Sequence, residues 1–256
     1  MATVVPRPGS SGRTPGAIDR SEVHPVSAAT ATTGARRGSP GPTTEVERDA
    51  AGQGLVVAGI DEVGRGAWAG CLSVGAVALD IDAVPTGLRD SKRLTAARRE
   101  VLAAAVHDGS AVGIGEVEHA ELDELGLATA LRVAARRAVD ALPVRVDVVL
   151  IDGNVDLLVG TSWQRRMIPQ GDDASASIAA ASIVAKVHRD ARMRAADADH
   201  PVYSFAANKG YPSPAHRAAL AAHGPCALHR RSWRPIRQLL AAPQLPLETA
   251  AAPDDG

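Results

Sequence analysis

The sequence predicts an α/β fold, a mixed five-stranded sheet flanked by helices, on three observations. Two apolar runs, residues 55–61 and 72–79, are joined by about ten residues, too few for a crossover helix, so they should pair as antiparallel strands. A segment of helical spacing, residues 127–142, separates two further apolar runs at 111–117 and 146–151, as in a strand–helix–strand crossover. A fifth short run follows at 163–168, with no linker-like gap and no internal repeat anywhere between.

Each element has a local reason. The first strand, Leu-Val-Val-Ala-Gly-Ile-Asp, is a short apolar run, and the second is rich in valine and leucine. Thr95 can cap a helix over 96–107 that Asp108-Gly109 ends. Pro143 stops the helix over 127–142 before the fourth strand, which closes on Asp152-Gly153-Asn154. If that strand runs parallel to the first, their C-terminal ends are neighbours and Asp152 arrives beside Asp61. The fifth strand leads into Gln170-Gly171-Asp172-Asp173 and an alanine-rich helix over 177–195. These elements form one domain, residues 54–241. Residues 1–53, rich in Pro, Gly, Ser, Thr and Ala and without an aromatic, and residues 242–256 are expected to be disordered.

Bulk composition narrows the function. Hydrophobic residues make up 45% of the chain, enough for a sizeable core, but aromatics only 2%, so any base stacking rests on very few rings. The net charge of −1 argues against a nucleic-acid partner until its distribution is read. From Lys186 to Arg237 there are ten Lys and Arg against three Asp, a basic third that suits phosphate binding or, equally, a solvated helix face. Cys71 and Cys226 lie far apart without metal-ligand spacing, which fits a reducing cytoplasm and excludes a disulfide framework. No run approaches the roughly 18 apolar residues of a membrane span, and no signal-peptide core is present, so a cytoplasmic location without membrane contact is expected.

The chemistry begins where the first strand ends. Asp61, Glu62, Asp152 and either Asp172 or Asp173 all fall at or just beyond strand ends, where a sheet edge presents side chains to a cleft. One such aspartate is more often a turn former, but several on one edge repel each other unless a cation intervenes. Oxygen donors without a His or Cys cluster favour Mg²⁺ or Mn²⁺, and phosphoryl transfer is the chemistry such ions serve. Adjacent strand residues point to opposite faces, so Asp61 and Glu62 can share a site only if the strand breaks at Glu62, which Gly64 and Gly66 make easy. The run Gly64-Arg65-Gly66 onward partly matches a dinucleotide fingerprint, but a strand follows where that motif needs a helix. Ser182, Lys186 and Asp190 recur every four residues and share one helix face, either as a solvated stripe or as a phosphate contact with Asp190 holding the lysine. Asn208-Lys209-Gly210-Tyr211-Pro212 is a turn that carries a ring.

Six segments together resemble the ribonuclease HII family: Ala-Gly-Ile-Asp-Glu-Val-Gly-Arg-Gly, Asp90-Ser-Lys-Arg-Leu, Ile-Asp-Gly-Asn, Ala-Ala-Ala-Ser-Ile-Val-Ala-Lys-Val-His-Arg-Asp, Asn-Lys-Gly-Tyr-Pro and His229-Arg-Arg-Ser-Trp. They occur in the family's order over about residues 55–237. The resemblance implies a ribonuclease H-like fold and Mg²⁺- or Mn²⁺-dependent cleavage of RNA/DNA hybrids and of duplex DNA holding single ribonucleotides, leaving 5′-phosphate and 3′-hydroxyl ends. It also implies that Asp61, Glu62, Asp152 and Asp172 bind metal and perform catalysis. By the same resemblance Gly64, Arg65 and Gly66 read the ribose 2′-hydroxyl, and Tyr211 packs on the deoxyribose that follows. Where the family has Lys-Gly-Asp this chain has Gln170-Gly171-Asp172, with Asp173 as a second acid. Ribonuclease HIII, a relative, carries a folded N-terminal domain for which residues 1–53 are too poor in core-forming side chains. The chain is expected to act as a monomer. Gln244-Leu-Pro-Leu247 matches part of a sliding-clamp docking peptide but lacks its terminal aromatic, so a Pro-rich tail is preferred over a clamp contact.

Overall fold

The structure, a computed structural model, describes residues 41–52 and 54–241. Its sheet has the order β3-β2-β1-β4-β5, with β1 Val57–Val63, β2 Leu72–Leu79, β3 Ser110–Val117, β4 Val148–Asp152 and β5 Gln164–Ile168. The short link makes β1 and β2 antiparallel, β2 and β3 are antiparallel as well, and the crossover makes β4 parallel to β1. β5 extends the parallel half. The helices are α1 Glu45–Ala51, α2 Ala96–Gly109, α3 His119–Leu125, α4 Leu127–Asp140, α5 Gly171–Ala174, α6 Ala176–Asp199, α7 Phe205–Asn208, α8 Pro214–His223 and α9 Arg234–Ala241. Among the described residues no helix is long and apolar enough to cross a membrane.

Strand periodicity sorts the core into two layers. Ala58 and Ile60 of β1 pack with Leu72, Val74 and the alanines of α4, whereas Val77 on the other face joins α2 and α6. Gly59 and Gly75 let α6 lie directly on the sheet, because a Cβ at either would sit 2.4 Å from Ile178 N or 2.5 Å from Ala181 O. That close approach brings the face of α6 that carries Ser182 and Lys186 to the end of β1. Thr95 caps α2 as its sequence predicts, accepting from the Arg98 N–H.

Two expectations need correction. Residues 43–51, assigned to a disordered extension, belong to the folded domain. Val46, Ala50 and Ala51 pack against Val57, Val148, Leu150 and Ile178, and Thr43 bridges to Ser175. Glu47, 1% exposed, accepts hydrogen bonds from the Ser175 hydroxyl (2.6 Å) and from the Ser177 hydroxyl and N–H (2.6 and 2.8 Å). A carboxylate there sits against the N-terminal end of α6, where the helix dipole favours negative charge. The segment looks polar in sequence because its anchor is a buried acid. The remainder of residues 1–53 and the tail with Gln244–Leu247 lie outside the described residues.

The second correction concerns β1. It does not break at Glu62, since Glu62 pairs with Val74 and Val63 with Ser73. Leu55 and Val56, expected to open the strand, precede it and are exposed.

Candidate active site

β1 outruns its parallel neighbour. The β1–β4 register ends at Ile60 opposite Ile151, so Asp61 and Asp152 follow side by side at the carboxyl ends of the two strands. Both alternate onto the α6 face, while Glu62 takes the α4 face with Ala58 and Ile60. The unbroken strand does not keep Glu62 away. It lines a cleft of about 450 Å³ together with Asp61, Gly64, Arg65, Gly66, Lys92, Asp152, Ser182, Lys186 and Tyr211. Glu62 and Asp152 also line an adjoining pocket of about 190 Å³ on the α4 side. The two spaces adjoin, so carboxylates from both faces of the sheet meet there.

The electrostatics are those of crowded acids. Burial drives the Asp61 carboxyl up to about 8; the Ser182 hydroxyl pulls it down, and the charges of Glu62, Asp152 and Asp172 add to the rise. Asp172, in the first turn of α5, is raised by burial and then by Asp152 and Asp90. It faces Lys92 (3.9 Å), whereas Asp173 points out to Arg93 at 3.3 Å. Of the two acids left open by the sequence, Asp172 therefore belongs to the cluster. Asp61 Oδ1 accepts from the Glu62 N–H (2.7 Å) and Asp152 Oδ1 from the Gly171 N–H (2.7 Å), which ties Asp61 to its own strand and Asp152 to the start of α5. Among the described residues no three His, Cys, Asp or Glu side chains form a ready-made metal cage. The set is an open rim of oxygen donors, the arrangement that suits a hard cation keeping water or substrate in its shell.

Ser182 hydrogen-bonds Ser91 (2.9 Å) as well as restraining Asp61, so its hydroxyl is already engaged. Lys186 pairs with Asp190 on the same face of α6, as their spacing predicts, and an ammonium has two further donors to offer the cleft. Lys92 emerges only in three dimensions. Partial burial would lower its pKa, but Asp90, Asp172, Asp61 and Asp152 outweigh that and raise it. The Asp90-Ser91-Lys92 segment was its sequence signal.

The glycine loop stands on a platform that sequence reasoning missed. Gly64 has φ 85°, and a Cβ on it would lie 2.2 Å from Arg189 Nε, whereas one on Gly66 would meet nothing within 4 Å. Arg189 donates to the carbonyls of Cys71 (2.8 Å), Lys209 (3.0 Å) and Ala69 (3.1 Å). Arg230 donates to those of Gly70 (3.0 Å), Arg65 (3.3 Å) and Cys71 (2.9 Å). Both are fully buried. Burial, and then the charge of Arg189, lowers Arg230 to about 10. Tyr211 completes the loop: its hydroxyl accepts from the Gly64 N–H at 3.1 Å, and Arg189 lies 5.4 Å over its ring. The basic third of the chain is thus no free patch. Two of its arginines are interior, and Arg192 and Arg194 pair with Glu116, Glu118 and Glu100.

Comparison with known proteins identifies the family. A family model described as Ribonuclease HII matches residues 58–236. Proteins named Ribonuclease HII from Streptomyces avermitilis and Sinorhizobium medicae are each 48% identical to the chain, covering 75% and 78% of it and 83% and 93% of themselves. The crystal structure of ribonuclease H2 from Pyrococcus horikoshii OT3 matches with a TM-score of 0.60 at 25% identity, over 72% of this chain and 97% of that one. The structure of the PCNA:RNase HII complex from Archaeoglobus fulgidus matches with a TM-score of 0.62 at 26% identity, over 70% and 96%. The chain belongs to the ribonuclease HII family, which cleaves the RNA of RNA/DNA hybrids.

Proposed function

We propose that this enzyme hydrolyses the RNA strand of RNA/DNA hybrids and also nicks duplex DNA at a single embedded ribonucleotide, acting as a monomer. The observation that carries the reading is the shared cleft: acidic side chains and the Gly64–Gly66 loop with Tyr211 open on the same 450 Å³ space. Asp61, Glu62, Asp152 and Asp172 would hold Mg²⁺ or Mn²⁺, and the burial and then the mutual repulsion that raise Asp61 and Asp172 support such a fit. Bound there as a pair, the ions supply Lewis-acid polarisation of the scissile phosphodiester and of the attacking water.

The chain's own residues position the strand. The exposed backbone at Arg65 and Gly66 has room to meet a 2′-hydroxyl, the group that separates RNA from DNA. The Tyr211 ring packs on the deoxyribose beyond it. Lys186, oriented by Asp190, and Lys92 take the phosphates, while Ser182 steadies Asp61. Hydrolysis breaks the bond from phosphorus to the 3′-oxygen, leaving a 3′-hydroxyl and a 5′-phosphate. The test is a duplex with one ribonucleotide, incubated with Mg²⁺ or Mn²⁺. The wild type should nick it, and Asp61→Asn should be slower by roughly 10²–10³-fold. No nicking by the wild type, or full activity in the variant, would overturn the assignment. The Archaeoglobus fulgidus ribonuclease HII is found with PCNA, a circumstance that supports testing this chain for clamp binding with and without residues 243–256.

A further inference from the structure

Behind Tyr211 lies a pair of histidines that the cleavage chemistry does not use. His216 on α8 and His229 in the following loop are both fully buried, boxed by the rings of Tyr203, Phe205 and Trp68. An imidazole nitrogen in such surroundings is costly unless it is paired, and here every one is. His216 Nδ1 lies 2.9 Å from the Tyr211 carbonyl oxygen, the two Nε2 atoms are 2.9 Å apart, and the Cys226 N–H lies 3.0 Å from His229 Nδ1.

Only one set of protons satisfies these contacts. A carbonyl can only accept, so His216 carries its proton on Nδ1 and offers a lone pair at Nε2. The Cys226 N–H can only donate, so His229 accepts at Nδ1 and must carry its proton on Nε2. The His229 Nε2–H therefore donates to His216 Nε2, and both rings are neutral. At the far end, the Tyr211 carbonyl also accepts from the Ser213 N–H (2.8 Å), and the Tyr211 N–H donates to Asn208 O (2.9 Å). The backbone of Tyr211 is thus held from behind, while its hydroxyl meets the Gly64 N–H in front.

We propose that His216 and His229 are positioning residues for substrate reading: a proton-ordered relay from Cys226 through both rings fixes Tyr211 against the Gly64–Gly66 loop and so sets discrimination at the RNA-to-DNA step. This rests on the recognition role given to Tyr211 above. The relay differs from mere packing in its direction, because what matters is a donor at the Nδ1 position of residue 216.

Two variants separate the links. His216→Asn keeps an amide N–H near Nδ1, aimed at the Tyr211 carbonyl, but gives up His229. His216→Gln reaches His229 and accepts from it but leaves the Tyr211 carbonyl without that donor. The readouts are kcat and KM on a duplex with one ribonucleotide and on a uniform hybrid, together with the imidazole ¹⁵N signals of the wild type. His216→Gln should lose roughly five- to tenfold in kcat/KM on the single-ribonucleotide duplex relative to the hybrid, and His216→Asn, which keeps the Tyr211 donor but loses the ring behind it, should lose less, roughly two- to threefold. The spectrum should show His216 as the Nδ1–H tautomer and His229 as the Nε2–H tautomer. Equal losses in the two variants, or the opposite tautomers, would overturn the relay. If His216→Gln does not fold, His216→Asn and the wild-type tautomers decide: discrimination in His216→Asn identical to wild type would overturn the relay. A wild type indifferent to the junction, with the expected tautomers, would refute the recognition role of Tyr211 rather than the relay.

Discussion

The acidic cleft and the arginine platform lie one loop apart and handle buried charge in opposite ways. Asp61 is largely buried with three other carboxylates near it, and its pKa rises to about 8 because little around it favours the anion. Arg189 and Arg230 are buried completely, yet three backbone carbonyls face each guanidinium. A charge left without partners by the protein is a place for a ligand, and a charge hydrogen-bonded by the backbone is a rigid part. The cleft gives up stability at a place open to a ligand, whereas the platform holds the loop still.

Opposite substitutions should therefore have opposite effects. Arg189→Met leaves the carbonyls of Cys71, Lys209 and Ala69 short of donors and should cost about 3 kcal/mol in stability, read by urea unfolding. Asp61→Asn, whose cleavage should be slowed, should instead stabilise the metal-free protein by about 1 kcal/mol. If both variants lose stability, the contrast between the regions fails.

The glycine loop sharpens the contrast at its border. Gly64→Ala forces a side chain into positive φ and onto Arg189, and should cost about 1–3 kcal/mol. Gly66→Ala meets no protein atom and should leave stability within about 0.5 kcal/mol, while slowing cleavage at an embedded ribonucleotide. Unchanged kinetics in Gly66→Ala would remove the loop from substrate reading.

The smallest effects concern pH. Burial, and then the neighbouring His216, holds His229 down to about 4 from 6.5, so the unfolded chain binds the proton first and stability should fall as pH drops from 6.5 to 4. Burial pushes Glu116 up, but His188, Cys71 and Arg192 outweigh it and bring the carboxyl to about 2 from 4.5. Its contribution is present above pH 4.5 and is lost as pH falls toward 2. Stability measured against pH should show both declines, and Glu116→Gln should remove only the second.

Much of the sheet was legible because its signals are local. The brief link between β1 and β2 forced their antiparallel pairing, Pro143 and the helical spacing before it forced the parallel crossover, and Thr95 marked its own helix. Asp61 and Asp152 were found as neighbours from strand direction alone. The short helices α3, α7, α8 and α9 were not read, since each is held by what it packs on rather than by a long apolar period.

By itself, then, the sequence determined the strand directions, the acids at their ends and the family to which the chain belongs, because strand period, connection length and ordered motifs are properties of neighbouring residues. Only the tertiary structure decided that Asp173 turns out to Arg93, that Glu62 reaches the cleft from an unbroken strand, that Glu47 anchors α6, and that Arg189 and Arg230 lie inside. The physical reason is common to all four. Whether a charged side chain is buried depends on partners far away in the chain, and local spacing carries no record of them.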